Sequence, residues 1–318
     1  MLNITNGRIN RARKVVIYGA EGIGKTTFAS QFPAPLFIDT EDGTAHMDVR
    51  RIEKPASWDG LIDIITEVAN TPDICSTLVI DTADWAEQCC IADVCKKYKK
   101  TGIEEFGYGK GYTYVSEEFS RLLAACDKVI ASGIHVVITA HAKMRKFELP
   151  DEMGAYDRWE MKLSKQVAPL LKEWCDMLLF CNYKTYVVSS ENNGTKKAQG
   201  GKRVVYTTHH PCWDAKNRLG LPDEMDLDYE LFRSLFPDGK HSAQKKPEPA
   251  PADCRAKLAA LMEKDGIPED AIREIVSRKG HYDVLTPVSE YSESFVTRWI
   301  IPNWAKIVEI IKNNPKDN

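Results

Sequence analysis

A glycine-rich segment near the beginning of the chain has the residue types and spacing of a phosphate-binding loop. Residues 19–26 match the pattern GxxxxGK[ST] at every fixed position, directly after a β-branched run and directly before a helical pattern. Glycines let backbone N–H groups surround a phosphate, and the following helix adds the positive end of its dipole. The Lys25 ammonium suits the β- and γ-phosphates, and the Thr26 hydroxyl suits Mg²⁺. The residues predicted to bind ATP are Gly19, Ala20, Glu21, Gly22, Ile23, Gly24, Lys25, Thr26 and Thr27.

A carboxylate for the same metal ion is predicted at the end of another apolar run. Residues 77–81 read Thr-Leu-Val-Ile-Asp, so that Asp81 would stand at the carboxyl end of a buried strand, where it could support the metal. An aspartate at the end of a strand is also common as the cap of the next helix. The phosphate-binding motif favours the metal interpretation, in which Thr26 and Asp81 together hold Mg²⁺.

These side chains must be positioned by a sheet, and the pattern of the chain predicts one. Short β-branched runs alternate with helical periodicity, which is typical of an α/β class with a mostly parallel sheet. The last two predicted strands flank the polar segment 191–202 and indicate an antiparallel hairpin at the edge of the sheet. Strands are expected at 14–18, 35–39, 77–81, 134–139, 176–181, 183–189 and 203–208, helices at 25–32, 58–70, 85–98, 116–132 and 162–174, and loops at 101–114 and 148–160.

Composition shifts divide the chain into two predicted domains. An α/β core is expected over 1–236, a proline-rich linker over 237–252, and a small helical domain over 253–318.

The 43 basic and 46 acidic residues give a net charge of −3, which excludes a polybasic coat but allows a local basic patch. Nine scattered cysteines without a CxxC pair, a start without an apolar core and the lack of an 18-residue apolar run predict a cytoplasmic chain without a membrane segment.

The motifs together resemble the core of RecA-type ATPases. In that family, the residue that activates the attacking water follows the strand after the phosphate-loop helix, and Glu41 is the matching residue here. Asp39, which is nearer to the predicted sheet, is the alternative. His141 follows the fourth strand at the position of a γ-phosphate sensor, where the family usually has glutamine. The resemblance implies catalytic roles for Lys25, Glu41 and His141, against the alternative of solvated loop acids and a structural histidine.

A second part of the resemblance lies behind the predicted hairpin. Residues 215–218 read Ala-Lys-Asn-Arg, which resembles the Lys-x-Arg finger that hexameric RecA-type helicases insert into a neighbouring subunit's site. Lys216 and Arg218 would share one face of an extended segment, as a two-point clamp requires. A chance Lys-x-Arg is the alternative. A working clamp implies a homo-oligomer, either a ring or a filament.

Over residues 12–236, the pattern is similar to phage-type nucleotide-binding proteins of the RecA superfamily. The resemblance implies an ATP-dependent protein that anneals or recombines single-stranded DNA, with a single-strand-binding protein as a partner. Two segments with basic and aromatic side chains, 143–160 and 192–203, are candidate DNA contacts, with solvated loop charges as the ordinary alternative. The rival functions are a small-molecule kinase, for which no arginine-rich lid is evident, and a nucleotide-gated adaptor without turnover.

Overall fold

The computed structural model describes residues 6–7, 11–148, 154–189, 196–236, 254–279, 281–291 and 295–313. The chain divides into two units, 1–243 and 244–318. The predicted linker 237–252 lies outside the described residues, and the domain boundaries given above remain a prediction.

The larger unit is built on a ten-stranded sheet whose central strands are parallel. The strand order is β10-β8-β7-β1-β5-β4-β2-β3, with β6 paired to β5 and β9 paired to β7. The strands are β1 Lys14–Gly19, β2 Pro35–Asp39, β3 Arg50–Ile52, β4 Thr77–Asp81, β5 His135–Glu148, β6 Ala155–Met161, β7 Met177–Ser189, β8 Lys196–Tyr206, β9 Lys216–Asn217 and β10 Glu224–Asp226. The helices of this unit are α1 Lys25–Ala29, α2 Trp58–Asn70, α3 Ala83–Lys97, α4 Lys110–Ala131 and α5 Val167–Trp174.

The pairing directions confirm the expected α/β class. Strands β7, β1, β5, β4, β2 and β3 pair in parallel, and β8, β9, β10 and β6 are antiparallel additions. Strand β5 lies between β1 and β4, so the strand before the glycine-rich loop and the strand that ends at Asp81 are not neighbours. The carboxyl ends of all three strands meet at one edge of the sheet.

Both faces of the parallel strands are buried, which explains why these strands read as continuous apolar runs. In β1, Val16 and Tyr18 pack in the cluster formed with helices α2 to α5, whereas Val15 and Ile17 pack on the opposite side. That second cluster includes α1 and the aromatic residues Phe28, Phe32, Tyr229, Phe232 and Phe236. Strand β1, which leads into the glycine-rich loop, is therefore packed between two apolar layers.

Two expectations about the loops were wrong. Segment 148–160 is not wholly irregular, since Ala155–Met161 forms β6 and pairs with an extension of β5 to Glu148. Segment 101–114 contains a 3₁₀ turn, Ile103–Phe106, and the first residues of α4. Helix α5 is shorter than expected because Pro169 is tolerated only in the first turn of a helix, which places the beginning at Val167.

The smaller unit is helical, as expected. Its helices are α6 Cys254–Asp265, α7 Glu269–Arg278 and α8 Trp304–Asn313, with a π-helical turn at Val296–Ile300. Apolar side chains from all of these form one cluster, and the Trp304 indole N–H donates to Asp265 Oδ2 at 2.6 Å. Among the described residues, no helix is both long and apolar enough to cross a membrane.

Candidate nucleotide site

The glycine-rich loop connects the end of β1 to the beginning of α1, as the motif predicts. Gly24 has φ 103°, a left-handed conformation that favours glycine, and it directly precedes the helix. Gly19 lies against β7, where a Cβ atom would be only 2.2 Å from the carbonyl oxygen of Cys181. Side chains at these two positions would therefore change the course of the loop, which explains why glycine is needed at both.

The Lys25 side chain is buried within the same loop. Its Nζ donates hydrogen bonds to the carbonyl oxygens of Gly19 at 3.3 Å and Ala20 at 3.1 Å. Burial lowers the pKa of the Lys25 ammonium, and nearby carboxylates, including Asp81, partly offset this effect. A buried ammonium that is hydrogen-bonded to carbonyl oxygens of the glycine-rich loop itself is suited to bind a phosphate chain.

Thr26 and Asp81 are in direct contact. The Thr26 hydroxyl donates to Asp81 Oδ2 at 2.7 Å, and the Thr139 hydroxyl of β5 donates to Oδ1. Burial raises the pKa of the Asp81 carboxyl, although the two hydroxyl hydrogen bonds oppose the shift. A hydroxyl and a carboxylate are the hard oxygen ligands that Mg²⁺ prefers, so this pair fits the ion that accompanies a nucleotide. Thr139 was not identified from the sequence, because its role depends on the neighbouring strand.

Asp39, the alternative to Glu41, is occupied by its own loop. Its carboxylate accepts hydrogen bonds from the backbone N–H groups of residues 41–44 and from the Thr44 hydroxyl, at 2.6 to 3.2 Å. Burial would raise the pKa of the Asp39 carboxyl, but these hydrogen bonds outweigh it and lower the pKa. Asp39 therefore shapes the loop that presents Glu41.

Glu41 faces His141 across the end of the sheet. Their closest atoms, Glu41 Oε2 and His141 Nε2, are 4.0 Å apart, and the Glu41 side chain is 34% exposed. Burial raises the pKa of the Glu41 carboxyl; the carboxylates of Asp84 and Asp81 add to this effect, while His141 and Lys25 oppose it. A carboxylate with a raised pKa next to a phosphate-binding loop is suited to accept a proton from water.

His141 is held from the other side by Asp84, which the sequence reasoning missed. The Asp84 carboxylate contacts the His141 backbone N–H and ring Nδ1, both at 2.9 Å. The hydrogen bond that the His141 ring donates to Asp84 raises the pKa of the ring against the effect of burial. Asp84 lies in the first turn of α3, where an acidic residue is ordinarily explained by the helix dipole. The sequence therefore offered no signal for its contact with His141.

Lys216 and Arg218 lie at the opposite edge of the sheet from the glycine-rich loop. Strand β9 pairs with the amino-terminal residues of β7, whereas Gly19 pairs with Cys181 further along that strand. The Lys216 ammonium donates to the carbonyl oxygens of Lys172, Glu173 and Cys175 and so caps the end of α5. The structure thus gives Lys216 a role within its own chain.

Arg218 differs from Lys216 in its exposure. Its side chain is 58% exposed and lies 3.7 Å from Asp176, which also pairs with Arg11. The structure does not bring Arg218 together with the other predicted site residues of the same chain. Its predicted role in a neighbouring subunit remains a prediction.

The candidate DNA segments contain both inward-facing and outward-facing side chains. In the first, Arg158 is held by Asp214, and Lys143 donates to the carbonyl oxygen of Leu163, whereas Arg145 and Lys146 are exposed on β5. In the second, Lys202 is exposed but paired with Asp226. Residues 149–153 and 190–195 lie outside the described part of the chain.

Arg203 belongs to the second segment but lies beside the glycine-rich loop. Its guanidinium is 3.5 Å from the carbonyl oxygen of Ile23, and the Tyr183 hydroxyl, opposite it on β7, donates to the carbonyl oxygen of Gly22 at 3.4 Å. Arg203 therefore contacts the glycine-rich loop from the side of β7 and β8.

Comparisons with known proteins agree with this geometry at the level of the family. A family model described as AAA domain, AAA_24, matches residues 11–219, about two thirds of the chain. A comparison with curated proteins found no match.

Two similar solved structures have low TM-scores. A KaiC-like protein from Pyrococcus horikoshii has a TM-score of 0.35 and 14% identity, over 62% of this chain and 79% of that one. The flagellar accessory protein FlaH from Methanocaldococcus jannaschii has a TM-score of 0.33 and 11% identity, over 65% and 88%. Both similarities are too low to carry an argument about function. The family match rests instead on the segment that includes the glycine-rich loop, Asp81 and His141. The chain therefore belongs to the AAA domain family.

Proposed function

We propose that the chain binds Mg·ATP at residues 19–27, hydrolyses it at a site shared between subunits, and uses it to anneal or recombine single-stranded DNA. One observation carries the ATPase part of the proposal. Lys25, Thr26, Asp81, Glu41 and His141 come from four separate segments and converge at the carboxyl edge of one sheet. A shared location of phosphate-binding, metal-binding and proton-accepting groups is what phosphoryl transfer to water requires.

Each side chain has a distinct task in this proposal. The loop amides and Lys25 bind the phosphate chain, and Thr26 and Asp81 would hold the metal ion. Mg²⁺, when bound, neutralises charge on the β- and γ-phosphate oxygens. Glu41 orients a water molecule and accepts its proton, and His141 Nε2 faces the same space to donate to a phosphate oxygen.

Single-stranded DNA is proposed as the substrate because of how β5 continues beyond the site. The strand runs without a break from Thr139 and His141 to the exposed Arg145 and Lys146. Four residues of strand span about 13 Å, so cations suited to a phosphate backbone stand close to the hydrolysis site. A displacement at His141 would be passed along a rigid element to these side chains. A single-strand-binding protein is the partner that this function implies.

The test is ATP hydrolysis by the purified chain, with and without single-stranded DNA, over a range of protein concentrations. The proposal predicts stimulation by DNA and a turnover that rises more than linearly with protein concentration, because shared sites form only on assembly. Turnover that ignores both DNA and concentration would contradict the DNA-handling role. ATP binding without turnover would favour the adaptor function, and phosphorylation of an added nucleoside would favour a kinase.

Lys25→Ala tests the site assignment in the same assay. It should reduce hydrolysis by roughly 10²-fold or more, because it removes a preorganised cation from the transferring phosphate. Lys110→Ala is the matched control, since Lys110 also begins a helix directly after a glycine with positive φ but is exposed at another helix. Hydrolysis by Lys25→Ala at the rate of Lys110→Ala would show that the site lies elsewhere.

A further inference from the structure

The Asp84 carboxylate contacts both the backbone and the ring of His141. We propose that Asp84 is a positioning residue, which fixes the His141 ring with Nδ1–H on its carboxylate and Nε2 toward Glu41 and the γ-phosphate position. The inference deepens the proposed function and rests on it for the role of His141.

The geometry leaves the ring little freedom. One Asp84 oxygen accepts the backbone N–H of His141, and the other contacts ring Nδ1, so the two contacts fix the backbone and the ring together. The Asp84 side chain is only 8% exposed. Asp84 is the second residue of the long helix α3, which packs against β5. A buried carboxylate can only accept these hydrogen bonds, which requires the proton to be on Nδ1.

The charges around the ring determine whether Nε2 donates or accepts a hydrogen bond. Asp84 on α3 and Glu41 after β2 favour the protonated ring, whereas Lys25 on α1 and burial oppose it. The hydrogen bond from the ring to Asp84 is the largest of these effects, and together they raise the pKa of His141. In the protonated ring, Nε2–H is a donor. Above the raised pKa, Nε2 becomes an acceptor and cannot donate to a phosphate oxygen.

This arrangement gives His141 two competing acceptors. In the structure, Nε2 faces the Glu41 carboxylate at 4.0 Å. A γ-phosphate bound beside Lys25 is a second and more highly charged acceptor for the same N–H. A hydrogen bond from Nε2–H to this phosphate would replace its interaction with Glu41 and leave that carboxylate to orient water. Asp84 supports this change of acceptor because it keeps the His141 ring protonated and in the same orientation.

The test is a pH titration of histidine ring nitrogens by NMR in the full chain without nucleotide, with His141 assigned from a His141→Gln spectrum. In the wild type, His141 should titrate above the ordinary histidine range and should carry its proton on Nδ1 when neutral. In Asp84→Asn the titration should move to lower pH. Asp59→Asn is the matched control, because Asp59 is also the second residue of a helix but is exposed. It should leave the titration unchanged.

Hydrolysis adds a second readout. Asp84→Asn should lower kcat by about 10- to 100-fold, the range found for partners that orient a functional histidine, and should change KM little. The decline of kcat at high pH should begin at lower pH than in the wild type. Asp84→Glu retains the charge and should keep the His141 titration raised.

The two proposals fail in different ways. A wild-type His141 that titrates in or below the ordinary range, or that carries its neutral proton on Nε2, overturns the role of Asp84 even if Asp84→Asn does not fold. An unchanged titration in folded Asp84→Asn has the same meaning. If the titrations behave as expected but wild-type protein does not hydrolyse ATP, the proposed function fails and the positioning by Asp84 stands.

Discussion

Two acidic residues of the same loop, Asp39 and Glu41, have opposite environments. The Asp39 carboxylate accepts five hydrogen bonds from residues 41–44, and these lower its pKa. The Glu41 carboxyl has no such set of donors, and burial raises its pKa. A carboxylate that is saturated with hydrogen bonds is a poor base, whereas one with a raised pKa is a better base near neutral pH. These environments favour Glu41 as the proposed base, whereas Asp39 stabilises the loop.

Substitution of these two residues should separate activity from stability. Glu41→Gln should lower kcat by roughly 10²- to 10⁴-fold, the usual contribution of a general base, with little change in unfolding. Asp39→Asn should lower the free energy of unfolding by about 1–3 kcal/mol, because two of the five donors would face an amide N–H₂ group. Urea denaturation and single-turnover hydrolysis measure the two effects. Loss of activity in Asp39→Asn at unchanged stability would reverse the assignment.

Strand β5 carries two histidines with opposite properties. At its beginning, His135 is buried, and its Nδ1 accepts the Arg13 backbone N–H at 2.9 Å, which requires a neutral ring. Burial, with the charge of Arg13, lowers the pKa of His135 to about 4. Further along, the hydrogen bond to Asp84 raises the pKa of His141. One strand thus supplies a structural histidine with a lowered pKa and a site histidine with a raised pKa.

His135 should make the sheet sensitive to acid. His135 takes up a proton near pH 6.5 in the unfolded chain but only near pH 4 in the folded chain. The contribution of neutral His135 to the free energy of unfolding is therefore complete above pH 6.5 and declines as the pH falls toward 4. At pH 5, the loss relative to pH 7 should be about 2 kcal/mol. Urea denaturation of wild type and His135→Asn at both pH values measures it, and the variant should lose correspondingly less. Exposed His209→Asn is the control, and equal losses in all three proteins would contradict the prediction.

The elements that the sequence predicts best are those whose own residues determine them. Helix α2 and strand β4 have the expected bounds, because Ser57 caps the apolar helical pattern of α2 and because β4 is apolar on both faces. Strand β6 could not be predicted, since its residues lack a regular alternation of apolar and polar side chains and are ordered by pairing with β5. The glycine-rich loop is determined in the same local way as α2. Local pattern therefore locates the phosphate-binding part of the site.

Contacts between distant segments were not accessible from the sequence. Asp84 and His141 are 57 positions apart, and only the fold brings the beginning of α3 to the end of the buried part of β5. Lys216 is likewise positioned by carbonyl groups more than 40 positions away, which explains why its motif alone predicted a different role. The partners of these charged groups follow from the topology of the sheet.

In the larger unit as a whole, the predicted site residues lie at two different edges of the sheet. The carboxyl edge holds Lys25, Asp81 and His141, whereas Arg218 lies near Asp176, just before the beginning of β7. Asp176 is five residues from Cys181, which pairs with Gly19, and five residues of strand span about 16 Å. An arginine side chain cannot reach across that length to its own phosphate-binding loop. Any action of Arg218 on a γ-phosphate must therefore take place in a neighbouring subunit.

Mixing two inactive variants tests this arrangement. Arg218→Ala should lower turnover by roughly 10³-fold, as loss of an arginine finger does, while exposed Arg233→Ala should not. In a mixture with Glu41→Gln, an Arg218→Ala subunit keeps its Glu41 and receives Arg218 from its neighbour. Random assembly at equal amounts should then restore about one quarter of the sites, because each complete site needs one particular order of two subunits. Turnover that stays at the level of the separate variants at every mixing ratio would contradict a shared site, since head-to-tail contacts necessarily produce such pairs.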